Sequence, residues 1–197
     1  MTEHRDRVKE QFGDLSKQSA TMRSDLEKAA EELLHRRRAR TSLLDYITYV
    51  MPTFQIGKHH RLIAGKLEQL AEGKIKRLII EAPPRHSKSS LASVHFPAWF
   101  LGRYPEKQII VATHSADYSA DIGRQVRNLV GGEEGPRIFP ELALAADSKA
   151  ADRWHTTKGG VFLGAGVGSS IMGRGAHCFP EETLIRTDVG TVPIEKV

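Results

Sequence analysis

Apolar and polar positions alternate with different periods along the chain, and the periods predict its elements. Residues 1–23 are polar and lack periodicity, which predicts a frayed or weakly helical arm. From Ser24 the spacing turns helical: Leu26, Ala29, Ala30, Leu33 and Leu34 recur on one face, and Ser24 with Glu27 reads as a capping box. Arg36, Arg37, Arg38 and Arg40 fall in the last turn of that helix, where cations suit the dipole. Contact with DNA phosphate or a partner subunit and a plain solvated helix end both fit them. A second helix is predicted after Ser42, with Leu43, Leu44, Ile47, Val50 and Met51 apolar and Pro52 as its stop. A third runs from Lys58 to Glu72, carries Leu62, Ile63, Leu67 and Leu70, and ends at the cap position Gly73.

The pattern then changes. Leu78, Ile79 and Ile80 form a short apolar run of the kind a buried strand shows, closed by Pro83 and Pro84. Leu91 to Leu101 reads as a helix ending near Gly102, with a kink or early stop at Pro97. Gln108 to Thr113 predicts a buried strand and Ala116 to Leu129 a returning helix, so a parallel strand–helix–strand unit is the economical topology. On that helix Arg124 and Arg127 share a face; DNA, a neighbouring subunit or surface ion pairs could engage them. Trp154 to Thr157 and Val161 to Leu163 flank Lys158-Gly159-Gly160 as a β-hairpin would. Gly164, Gly166 and Gly168 do not make a dinucleotide fingerprint and read as flexible backbone. The sum is an α/β chain.

Composition narrows the classes. With 197 residues, 40% of them hydrophobic and 27% charged, the chain can hold one sizeable domain and a small module. No apolar run is long enough for a bilayer, and the N-terminus is too charged for a secretory signal. A net charge of +5 suits a polyanion partner and equally a merely soluble basic protein. A single cysteine excludes an internal disulfide framework and fits a reducing cytoplasm.

The candidate chemistry sits between the apolar run and the helix at Leu91. A strand, a tight loop and a helix that begins with Lys88 and Ser89 is the layout of a phosphate-binding loop. There backbone N–H groups and the helix N-terminus surround phosphate oxygens, the Lys neutralises charge and the hydroxyl reaches Mg²⁺. The two positions normally glycine in that pattern hold Ala82 and Ser87, and Ser87 could adopt left-handed geometry only at a cost. A strand ended by prolines, followed by a helix capped by Ser89, is the other reading. His59 and His60 are adjacent and so make a poor metal pair; seating this segment suits them better.

The run Pro83-Pro-Arg-His-Ser-Lys-Ser89 resembles the variant phosphate loop of phage terminase large subunits, the ATPases that drive DNA into capsids; Ser87 departs from the Gly common there. The likeness continues through His59-His60, Phe96-Pro-Ala-Trp-Phe-Leu-Gly-Arg-Tyr-Pro105, Ile109-Ile-Val-Ala-Thr113 and Arg124-Gln-Val-Arg127. It extends to Ile138-Phe-Pro140, Trp154-His-Thr-Thr-Lys-Gly-Gly160, Gly164-Ala-Gly-Val-Gly168 and Gly173-Arg-Gly-Ala176, covering roughly residues 43–177. The resemblance implies a partial P-loop NTPase with a three-layer, mainly parallel sheet, and a helical and basic lead-in over residues 1–42. It implies that Pro84, Arg85, His86, Ser87, Lys88, Ser89 and Ser90 bind ATP, with Ser89 on Mg²⁺, and that His59 and His60 lie near the base. Arg174, and in competition Arg85, would serve as arginine finger. Implied partners are double-stranded DNA, the small terminase subunit and the portal, in the cytoplasm of a phage-infected bacterium and without a membrane.

In terminases an acid-tipped strand follows Gly-Arg-Gly-Ala. Here Cys178 and the residues to Val197 follow instead, and they resemble the first block of an intein, a Hint-type fold: a starting Cys, Thr183, a strand Leu184-Ile185-Arg186-Thr187, a turn Asp188-Val189-Gly190 and a strand Val192-Pro-Ile-Glu195. The resemblance makes Cys178 the splicing nucleophile against the His177 carbonyl. An unreactive cysteine before an ordinary hairpin is the plain alternative, and the chain would then be a stand-alone P-loop nucleotide-binding module. The remaining intein blocks are absent, so the expectation is a split gene whose other chain supplies them, with truncation as the second reading. Residues 178–197 are expected to stay disordered until that complement pairs with them.

Overall fold

The computed structural model describes residues 2–148, 150–166, 185–187 and 190–192, with side chains over 21–148 and 150–166. Its architecture is α/β. Helix α1, Thr2–Thr41, is one continuous helix of 40 residues. Ser24 is therefore interior rather than a cap, and the predicted weakly helical arm is part of the same helix. The last turns of α1 pack on the body. Ala39 is buried, and its carbonyl accepts a 3.0 Å bond from the Trp99 indole. Glu32 accepts from the Tyr49 hydroxyl at 2.5 Å and from Arg36 at 2.8 Å. Those two donors, Tyr49 first, hold the Glu32 carboxyl below its ordinary pKa. Arg40 donates to the Ile138 carbonyl, while Arg37 and Arg38 stay exposed.

Helices α2, Leu43–Val50, and α3, Lys58–Ala71, follow the expected limits closely. The Ser42 hydroxyl accepts from Asp45 N–H at 3.3 Å and caps α2. Gly73, at φ +70°, closes α3: its N–H bonds Leu70 O at 3.0 Å and the next N–H bonds Gln69 O at 2.9 Å, a Schellman pair. Leu62, expected on the apolar face of α3, is exposed.

Three strands form one sheet in the order β1-β3-β2. Strand β1, Gln108–Thr113, runs parallel to β3, Val161–Gly166, with helix α5, Ala116–Gly131, in the connection between them. Strand β2, Arg153–His155, pairs antiparallel with β3 around the turn at Lys158-Gly159-Gly160, as the sequence predicts. The sheet is thus mixed rather than mainly parallel among the described residues. The predicted strand at 78–80 is absent from it: Leu78 and Ile80 pack on the core, but Ile79 is 76% exposed.

Gly164 and Gly166 prove to be rigid packing positions, not flexible backbone. A Cβ at Gly164 would sit 2.8 Å from the Ser119 carbonyl oxygen, and one at Gly166 would collide with the Ala116 backbone, so both let α5 lie close on β3. Trp154 and Phe162 stack with ring centroids 5.1 Å apart beneath α5, and the Trp154 indole bonds Gly123 O at 3.2 Å. Helix α6, Glu134–Ile138, returns the chain to the core through Ile138 and Phe139. A separate pair of strands, β4 at Ile185–Thr187 and β5 at Gly190–Val192, is antiparallel with Thr187 opposite Gly190. The second strand is described from Gly190, two residues before the expected start at Val192, and residues 193–195 lie outside the described residues. The rest of 178–197, on which the expected disorder also bears, lies outside the described residues too. No helix among the described residues is long and apolar enough to cross a membrane.

Candidate phosphate-binding site

The loop before Leu91 owes its shape to the helix it leads into. From Lys88 the backbone is helical, first through a π-helical segment, Ser90–His95, and then without a break into α4, Phe96–Arg103. Pro97 explains the wide segment. It has no N–H to offer the carbonyl four residues back, and its ring crowds that carbonyl. The helix widens just before it, so that Phe96 N–H reaches Leu91 O, five residues back. The predicted kink is this widening, and the helix continues past Gly102 to Arg103. Gly102 is there for packing: any Cβ would enter the Phe139 ring. Residues 91–101 are buried throughout, so the helix is a fixed platform.

On that platform stand Pro83, Pro84, Arg85 and His86, all exposed, and Ser87, Lys88, Ser89 and Ser90, half-buried. Arg85 has φ +64° and Ser87 φ +57°, both left-handed and neither glycine. The position expected to need left-handed backbone does adopt it, and Arg85 joins it unforeseen. Alternation of right- and left-handed residues turns successive N–H groups inward, the concave arrangement that holds anions. The Ser87 carbonyl accepts from Leu91 N–H at 2.9 Å, which ties the loop to the first helical turn. Ser89 is itself helical, at φ −67° and ψ −36°, and its side chain makes no capping bond, so the plain capping role is not the one it fills.

A histidine cluster buttresses the loop. His86 Nδ1 donates to Pro84 O at 2.9 Å, and its ring meets His59 edge-on at 5.5 Å between centroids. His59 meets His60 at 3.8 Å between centroids with the rings tilted by 54°, and His60 packs on Phe54 at 4.8 Å. His60 Nδ1 accepts from Gly57 N–H at 2.9 Å, so the ring carries its proton on Nε2 and is neutral. Burial first, and the neighbouring His59 second, lower the His60 pKa. The expected seating role of His59 and His60 thus has a geometry: they brace the loop from α3. No three His, Cys, Asp or Glu residues gather as a metal site among the described residues. A Mg²⁺ held by Ser89 and nucleotide phosphates would need no such group.

Further from the loop, Arg124 pairs with Asp121 at 2.8 Å and Arg127 donates to Ala150 O at 3.0 Å; both bonds lie at the surface. Sequence reasoning missed His95. It is buried in the π-helical segment with no partner for Nδ1, and burial lowers its pKa to about 4. Its position two residues before Pro97 was the available signal. Arg174, Cys178 and Thr183 lie outside the described residues. No protein-family model matches the chain, and no curated protein or solved structure matches it either.

Proposed function

We propose that this chain is the ATP-binding front portion of a phage DNA-packaging ATPase, a terminase large subunit, joined to the N-terminal fragment of a split intein. The observation that carries the first half is the pair of left-handed residues, Arg85 and Ser87, directly before Lys88 and Ser89 on a buried helix. Non-glycine residues hold such backbone at a cost, and the cost concentrates where a ligand uses the shape. The N–H groups of 85–87 and the Lys88 ammonium hold the β- and γ-phosphates of ATP, and the Ser89 hydroxyl takes Mg²⁺. Pro84 and Ser90 bound the loop on either side. Phosphoryl transfer also needs an acid for Mg²⁺ and a residue to orient water. Residues 84–90 hold nucleotide and fill neither of those two roles. Arg174 is then the candidate finger on a neighbour's γ-phosphate.

The second half rests on the resemblance that begins at Cys178. The Cys178 thiolate attacks the His177 carbonyl carbon, the amide C–N bond breaks, and a thioester forms as the Cys178 amino group is released. A nucleophile on the complementary chain captures that thioester, and Thr183 belongs to the block that positions the peptide bond. The joined product acts on double-stranded DNA with the small terminase subunit and portal, in the cytoplasm of the infected bacterium. Lys88→Ala should abolish packaging by the joined protein while leaving ligation intact, and Cys178→Ala should do the reverse. Loss of ligation in Lys88→Ala would break this division of labour. Failure of ligation with every candidate downstream chain would leave a stand-alone nucleotide-binding module.

A further inference from the structure

Where its side chains are described, α1 carries apolar residues that nothing covers. Met22 is 65% exposed, Leu26 66% and Leu33 63%, on a helix whose last turns pack on the body. Their spacing is not that of a helix lying on a globular core. Leu33, Ala29, Leu26 and Met22 step by four, three and four residues, and the same alternation continues through Ser19, Leu15, Phe12 and Val8. A four–three repeat over residues 8–33 is a heptad seam, ~39 Å long at 1.5 Å per residue. The face that meets the body, around Glu32, Arg36 and Ala39, lies about a quarter of a turn away at 3.6 residues per turn, with Arg36 at the edge of the seam, and docking still leaves Met22, Leu26 and Leu33 exposed.

The flanks of the seam say what covers it. With Phe12, Ser19, Leu26 and Leu33 as a positions, the g flank holds Gln11, Gln18, Asp25 and Glu32. The e flank holds Lys9, Ser16, Arg23, Ala30 and Arg37. One flank is acidic or neutral, the other basic or neutral. A parallel, in-register pair of identical helices sets each g residue against the e residue five further along the partner, which brings Glu32 to the partner's Arg37 and no like charges together. An antiparallel pair would set acidic flank against acidic flank. Ser19 gives a single polar a layer, the device that fixes register in paired helices.

We propose that α1 pairs with α1 of a second copy of this chain as a parallel, two-stranded coiled coil over residues 8–33. This rests on the spacing and charge of α1 and is independent of the nucleotide reading. Sedimentation equilibrium of the full chain should show a dimer. Leu26→Glu combined with Leu33→Glu should raise its dissociation constant at least about 100-fold, with unchanged helical circular dichroism. Leu62→Glu, which alters an exposed leucine of α3 outside the seam, should leave the dimer intact. In a Cys178→Ser background, Leu26→Cys should form a disulfide between copies on oxidation, because an in-register parallel pair sets residue 26 beside its own copy. A monomer at high micromolar concentration, a dimer indifferent to the double substitution, or a dimer without the cross-link would each overturn the proposal.

Discussion

Two tight turns in this molecule meet the same backbone demand in opposite ways. The β2–β3 hairpin needs one left-handed residue and places Gly159 there, at φ +87°. The loop before Lys88 needs two and fills them with Arg85 and Ser87. In the hairpin, sequence and conformation agree, which is how a purely structural turn is built. In the loop they conflict. The conflict is sustained by its surroundings: a helix buried from 91 to 101 on one side and the His59–His60–His86 cluster on the other. Difference in local fit thus separates a connection from a candidate site, although both look in sequence like short polar breaks between apolar runs.

Substitutions can sharpen that contrast. The largest effect is expected at Gly160, whose backbone is ordinary but whose absent Cβ would collide with the Pro105 carbonyl. Gly160→Ala should cost about 2–4 kcal/mol in denaturant unfolding, because backbone on both sides must move.

Next comes the platform. His95 is neutral in the fold, with its pKa lowered to about 4 by burial, and protonates near 6.5 once unfolded. The unfolded chain therefore binds more protons below pH 6.5, and stability falls as pH drops from there towards 4. Between pH 7 and pH 5 the loss should be about 2 kcal/mol, and His95→Leu should remove most of that pH dependence. An equal dependence in the variant would place the titration elsewhere.

Gly159→Ala should cost about 1 kcal/mol, from conformation alone, since nothing lies within 4 Å of the added carbon. Ser87→Gly should go the other way and stabilise by about 0.5 kcal/mol, the relief of left-handed strain less the added freedom of the unfolded chain. If Ser87→Gly destabilised as much as Gly159→Ala, the contrast between the turns would fail.

How much of the fold was legible in the sequence depends on the range of the interactions involved. The ends of α2 and α3 are written locally, in Ser42 and Gly73, and the hairpin around Gly159 is written in its turn. Leu78-Ile79-Ile80 shows the limit. An apolar run becomes a strand only where a neighbour offers hydrogen bonds, and here it lies outside the sheet with Ile79 in solvent. Helix α1 was legible only from Ser24 onward, because apolar residues before it are too sparse to mark a core-facing face. In the loop, spacing pointed to Ser87 but could not reveal that Arg85 would share the strain, or that His86 would reach His59. Those are tertiary facts, fixed by where α3 places its histidines.

The central claim is that the strained loop exists to hold phosphate. Equilibrium titration of the full chain with a fluorescent ATP analogue and Mg²⁺ tests it most directly. Saturable binding, weakened at least about tenfold by Lys88→Ala at unchanged melting temperature, is the predicted result. Absence of binding in the parent chain, or equal affinity in the variant, would contradict it.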